Sequence, residues 1–199
     1  RTMHAMLTAS PQINTPADEP VDQSIIDNEA QSVGHLFRDR VSATPDGAAY
    51  LYANVKPEGD EWLSVTWSEL DLVVREIGAG LIALGVEPED RVAIASGTRY
   101  EWALADLAVM VAGGATTTIY PTTMADDVAF ILSDSGTKIV FAENSEQLEK
   151  LRGIRASTPA VTRVIVFDGE PDDSDAWTLN LEEVRQLGRE YLAGDPGAI

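Results

Sequence analysis

Four apolar runs decide the fold of this chain: RVAIAS at residues 91–96, ATTTIY at 115–120, KIVFA at 138–142 and RVIVF at 163–167. Their first residues lie 24, 23 and 25 positions apart (115−91, 138−115, 163−138). That interval holds one strand, one crossover helix and two short loops, the βα period of a parallel sheet. Open parallel sheets bind ligands at the carboxyl ends of their strands. The turns after these runs are therefore where function is sought, although no phosphate-cradling, nucleophilic or metal motif stands there.

The segments between the runs read as helices. Leu70, Val73, Val74, Ile77, Leu81 and Leu84 recur at helical spacing over 67–84. Thr66 and Glu69 are spaced as a capping box, in which hydroxyl and carboxylate each take a free amide. Gly85 is placed to end that helix in the left-handed region. The next helix, about 99–112, carries Thr98 and Glu101 at the same box spacing and is apolar nearly all round, which implies burial on more than one side. Gly113-Gly114 closes it. Asn144 with Gln147, and Asn180 with Glu183, repeat the capping device, the latter opening a last helix over 180–192.

Upstream, 31–43 predicts a helix with Val33, Leu36, Phe37 and Val41 on one side, stopped by Pro45 and Gly47. Residues 48–55 and 62–66 predict a hairpin around Lys56-Pro57-Glu58-Gly59-Asp60. Residues 1–30 are polar and acidic with Pro11, Pro16 and Pro20, the composition of a disordered or loosely ordered tail. The expected architecture is α/β: a mainly parallel sheet flanked by helices with a small N-terminal β-hairpin, over residues 31–199, after a tail over 1–30.

Composition excludes several partners. The 14 basic and 33 acidic residues leave a net charge of −19, which repels nucleic acid and anionic membrane surfaces. Only Lys56, Lys138 and Lys150 are lysines, so phosphate binding would fall to a few local groups or backbone amides. Without cysteine there is no disulfide, thiolate metal site or cysteine nucleophile. No signal-peptide core opens the chain, and the most apolar stretch, 103–112, contains Asp106 and is too short to span a bilayer. These features fit the cytoplasm.

Each candidate for chemistry has a plain structural reading. Gly78-Ala79-Gly80-Leu81-Ile82-Ala83 matches a dinucleotide fingerprint in letters, but it lies near the end of a helix instead of opening one after a strand. Gly97-Thr98-Arg99 does sit at a strand-to-helix handover, where free amides hold either an anion or a threonine cap. His4 lies in the tail. His35 and Asp39 are four apart, enough for a hydrogen bond but not for a metal site, and no G-x-S-x-G accompanies either histidine. Asp126-Asp127 suit a helix N-terminus, and the acidic run 170–175 lacks an EF-hand pattern. Tyr120-Pro121-Thr122-Thr123 is the most informative turn. It follows a strand expected to be parallel and central, Tyr120 offers a ring for stacking, and Thr122 offers a donor.

Several blocks resemble a known family when taken together. They are Thr66-Trp67-Ser68-Glu69-Leu70; Gly85-Val86 with Asp90-Arg91-Val92-Ala93-Ile94; Glu101-Trp102 with Ala112-Gly113-Gly114-Ala115; Ile119-Tyr120-Pro121-Thr122; and Ile131-Leu132-Ser133-Asp134-Ser135. In order and spacing they resemble the first blocks of acyl-adenylate-forming (AMP-binding) enzymes, closest to the long-chain fatty acyl-CoA ligase branch, from about Val33 to the end. The resemblance implies the N-terminal subdomain of that fold, with 31–199 an incomplete AMP-binding-type domain. It implies that a complete enzyme uses ATP and Mg²⁺ to turn a fatty acid into an acyl-adenylate, releasing pyrophosphate, and then passes the acyl group to CoA. By position it places the nucleotide end of CoA on Tyr120, Pro121 and Thr122. Where relatives use arginines for the CoA phosphate, this chain has the uncharged Gln147 and Lys150, of which Lys150 keeps a charge.

The family's Ser/Thr/Gly-rich phosphate loop, adenine and aspartate motifs and C-terminal lysine are absent, the loop being expected just beyond Ile199. No catalytic or metal-binding residue is therefore assigned. These residues alone are expected to show no ligase activity and no tight binding of ATP, CoA or Mg²⁺. The implied partners are fatty acid, ATP and CoA, with a homodimer through the N-terminal region and a peripheral membrane association both allowed. Two other readings stay open: an acyl-AMP ligase, which delivers its acyl group to a carrier protein, and a non-catalytic module paired with a partner chain. A nicotinamide-dependent oxidoreductase rests only on the Gly78 pattern.

Overall fold

The computed structural model describes residues 24, 27, 29–54, 59, 61–169 and 176–199. His4, most of the expected hairpin turn and the acidic run 170–175 lie outside them. The chain divides into Arg1–Ala30 and Gln31–Ile199, and the elements below belong to the second unit.

Helix α1 (Val33–Ala43) precedes an antiparallel hairpin, β1 (Ala48–Asn54) and β2 (Glu61–Thr66). Then come α2 (Trp67–Ala83), β3 (Arg91–Ala95), α3 (Tyr100–Val111), β4 (Ala115–Ile119), α4 (Ala125–Ser135), β5 (Ile139–Ala142), α5 (Ser145–Ile154), β6 (Arg163–Val166), β7 (Thr178–Asn180) and α6 (Leu181–Gly194). All four sequence-read runs are strands, and every pairing among them is parallel. β7 is a fifth strand, parallel to β6, that the sequence pattern does not announce.

The sheet order is β4-β3-β5-β6-β7. This corrects one expectation: among the described residues β4 is an edge strand, not a central one. The chain steps from β3 to β4 on one side, then crosses back to β5 on the other.

Successive strand residues point to opposite faces, and each face has its own core. Val92, Ile94, Ile139, Phe141 and Ile165 pack with Leu70, Val74, Ile77, Leu81, Ala108, Val109 and Val184 of α2, α3 and α6. Ala93, Ala95, Val140, Ala142, Val164 and Val166 pack with Val128, Leu132, Leu148 and Leu151 of α4 and α5. Burying both faces explains why the strands read as unbroken apolar runs.

The Thr66–Glu69 capping box of α2 forms in full, and Gly85 follows that helix with φ 92°. The Asn180–Glu183 box of α6 also forms. α3 differs from expectation. It is capped by Arg99 without a side-chain bond, while Thr98 is exposed. Glu101 is drawn to the Arg99 guanidinium (2.6 Å) instead of to an amide. α1 is also rotated from its expected face. Gly34 and Phe37 are buried, whereas Val33 and Leu36 are exposed. The cause is a close backbone approach: a Cβ on Gly34 would lie 3.4 Å from Cα of Val111.

α2 and α6 meet along glycines. A Cβ on Gly80 would lie 2.2 Å from the carbonyl oxygen of Val184, and one on Gly188 1.7 Å from that of Glu76. The Glu76 side chain, 8% exposed, accepts from Arg185 (2.7 Å) and Arg189 (3.2 Å) and closes the seam. The hairpin is anchored by Tyr52, whose ring stacks on Tyr100 at 4.2 Å. Burial pushes the Tyr100 hydroxyl up to about 12.

Candidate functional site at the carboxyl edge of the sheet

The turns after β3, β4, β5 and β6 share one edge, the ligand-binding edge of an open parallel sheet. After β4 the chain makes a β-turn, the Thr123 amide donating to the Tyr120 carbonyl at 3.0 Å. Pro121 occupies its second position, where a fixed φ suits the turn. Tyr120 is 78% exposed, Thr122 is exposed and Pro121 is half-buried.

α5 packs behind this turn. Its cap Asn144 accepts from the amides of Glu146 and Gln147. Gln147 and Lys150 are three apart and so face the same side. The Lys150 ammonium donates to the carbonyls of Pro121 (2.7 Å) and Thr123 (3.0 Å) and to Oε1 of Gln147 (3.0 Å). Nε2 of Gln147 donates to the same Pro121 carbonyl at 3.2 Å. The expected Asn144–Gln147 box is thus half made: asparagine caps the helix, but the 3%-exposed glutamine side chain goes to the turn instead of back to the cap. The structure brings Lys150 against the turn that carries Tyr120, Pro121 and Thr122.

A second cluster fills the mouth between β3 and β5, where the strand order reverses. The Gly97 amide donates to the Glu143 carboxylate at 2.8 Å, so the anion-ready position at the start of α3 already holds a carboxylate from the chain itself. Beside it, Arg99 bridges Glu101 and Asp168 (3.0 Å for its Nη2). Hydrogen bonding to Asp168, with Glu101 adding to it, raises the Arg99 pKa further above its ordinary value. Sequence reading stopped at Gly97-Thr98-Arg99 and missed Glu143 and Asp168. Their signal was positional, since each follows directly on a strand or its last apolar residue.

The remaining candidates sit apart from this edge. Within the Gly78–Ala83 stretch, Gly78 to Leu81 are buried in α2, where a Cβ on Gly78 would press on the Ala108 carbonyl at 3.2 Å; these residues pack helices and do not open one after a strand. His35 bonds Ser32 through Nδ1 at 2.8 Å, not Asp39. Asp126 and Asp127 stand in the first turn of α4, favoured by the helix dipole. A cleft of about 700 Å³, lined by Arg38, Asp71, Arg75 and Glu89 among others, opens near the loops that precede β3 and β4. Burial holds the Asp71 carboxyl above its ordinary range despite Arg75 and Arg38. The cleft lies at the amino ends of the strands, away from the edge where such sheets bind ligands. Among the described residues there is no metal-holding cluster of His, Asp and Glu, and no helix long and apolar enough to cross a membrane.

A five-stranded parallel sheet with helices on both faces, and a tyrosine-bearing turn on its carboxyl edge, defines an open α/β fold. The AMP-binding enzyme family matches residues 37–193, most of the chain, and the chain belongs to that family. The long-chain-fatty-acid–CoA ligase FadD15 of Mycobacterium bovis is 39% identical over 108 residues, which is 54% of this chain and 18% of that protein. The long-chain-fatty-acid–CoA ligase ACSBG1 of Homo sapiens is 28% identical over 131 residues, 66% of this chain and 18% of that protein. Acetoacetyl-CoA synthetase from Streptomyces lividans superposes with a TM-score of 0.66 at 25% identity, over 77% of this chain and 25% of that one. The anthranilate CoA ligase AuaEII, solved with anthranoyl-AMP, shares the fold at TM-score 0.68 and 15% identity, over 81% of this chain and 29% of its own. The chain spans about a fifth of the length of the curated relatives it matches.

Proposed function

We propose that the protein to which these residues belong is a long-chain fatty acid–CoA ligase, converting fatty acid, ATP and CoA to acyl-CoA, AMP and pyrophosphate through an acyl-adenylate. The observation that carries this reading is the family match over 37–193 together with relatives named for that activity. The chemistry is coherent: a carboxylate oxygen is a poor leaving group, so it first attacks the α-phosphorus of ATP with loss of pyrophosphate, and the thiol then displaces that oxygen as part of AMP. In this reading residues 31–199 supply scaffold and one edge of the CoA site, with Tyr120, Pro121 and Thr122 receiving the nucleotide end. Mg²⁺ and the phosphate-clamping groups that stabilise the transferring phosphoryl charge act from other parts of the enzyme. In this reading the enzyme works in the cytoplasm, peripheral to the membrane that holds its substrate, with the N-terminal region available for homodimer contact.

The purified 199-residue chain is expected to give no fatty-acid-dependent exchange of pyrophosphate into ATP. Isotope exchange checks this directly, and activity from the chain alone would overturn the assigned division of labour.

A further inference from the structure

Lys150 stands where a phosphate-binding cation would be sought, yet its geometry describes another task. An ammonium has three hydrogens, and here all three have acceptors: two turn carbonyls and the Gln147 amide oxygen. Meeting a phosphate would require breaking bonds that fix the turn. Gln147, almost wholly buried, makes the complementary bond to Pro121 and accepts from Lys150, so both of its polar atoms are used. With the Pro121 and Thr123 carbonyls held against α5, the Tyr120 ring and Thr122 are left facing solvent.

We propose that Lys150 and Gln147 are positioning residues that clamp the 120–123 turn, so that Tyr120 is presented as a rigid stacking surface for the base of CoA, and that Lys150 does not read the ligand's phosphate. The ligand half of this inference rests on the function proposed above; the clamp itself rests on the hydrogen bonds alone. Ordering a flexible turn in advance removes part of the entropic cost of binding.

The test uses the 199-residue chain with Lys150→Met, Lys150→Arg and Gln147→Leu. Hydrogen exchange reads the clamp first. The Thr123 amide should exchange about tenfold faster in each variant, the size of one or two lost charge-assisted hydrogen bonds, while β3 and β5 amides stay unchanged. Unaltered exchange at Thr123 would overturn the clamp whatever binds. NMR titration with CoA and with dephospho-CoA, which lacks the 3′-phosphate, then reads its role. A positioning residue weakens both ligands alike, by about tenfold, and arginine does not rescue, because its planar fork cannot reproduce the three-point pattern. A loss confined to CoA and restored by arginine would show direct phosphate contact and overturn the proposal. If the wild-type chain shifts with neither ligand even at millimolar concentration, the CoA reading of the turn fails and its positioning role with it, while the exchange data still decide the clamp.

Discussion

Replacing Gly188 by alanine is expected to cost about 3 kcal/mol of unfolding free energy, at the upper end for an overpacked contact. The added Cβ would stand 1.7 Å from the Glu76 carbonyl oxygen and 2.9 Å from the Gly80 amide nitrogen. Both are backbone atoms of α2 and cannot rotate aside, so α6 must move as a body. That movement also exposes Val184, which is wholly buried, and stretches the Glu76 contacts to Arg185 and Arg189. The Glu76 pair loses value when water enters, since the arginines are partly exposed already and screening limits such pairs. Gly194→Ala is the internal control: nothing lies within 4 Å of a Cβ there, and alanine favours a helix over glycine by roughly 1 kcal/mol. Urea titration of both variants checks the pair. A loss below about 1 kcal/mol for Gly188→Ala would contradict the close helix seam.

Phe141→Ala is expected to cost about 3–5 kcal/mol, the range for deleting a buried aromatic ring. Phe141 lies on β5, the middle strand of the sheet, with no exposed surface, and its ring stacks on Phe167 with centroids 5.6 Å apart. Strands on either side keep the cavity from collapsing. Phe130→Ala offers the contrast, because that ring is largely exposed on α4 and surface changes of this kind stay within about 0.5 kcal/mol. Thermal and urea unfolding measure both. Similar effects for the two would mean that the face packed by α2 and α3 is not a core.

The parallel sheet was legible because its signal is local and repeated: an apolar run, a cap, a helix, a glycine. The capping boxes at Thr66 and Asn180 form because, among the described residues, Glu69 and Glu183 bond only their own caps. Where a distant group does compete, local reading fails. Glu101 leaves its cap for Arg99, which Asp168 holds from 69 positions away. Gln147 leaves its cap for Pro121, 26 positions back. Strand order was hidden for a related reason: a βα interval is the same length whether the next strand pairs to the left or the right, so β4 read as central and stands at the edge. β7 has three residues and takes its conformation from pairing with β6, which no local pattern records. The Tyr120 turn could be found by the rule that ligands meet carboxyl ends of strands. Gln147 and Lys150 are reached through the family resemblance, as positions facing the CoA phosphate; their bonds to the turn carbonyls, 26 to 29 positions back, have no local signal.

A CoA analogue with a photoreactive azide on its adenine tests the central claim, that this chain carries the nucleotide edge of the CoA site. The account predicts that irradiation with the 199-residue chain labels the peptide containing Tyr120, that an excess of unmodified CoA abolishes the labelling, and that Tyr120→Ala reduces it sharply. Competable label on the helix around Gly78, or on the cleft residues Arg38 and Arg75 with none near Tyr120, would contradict it.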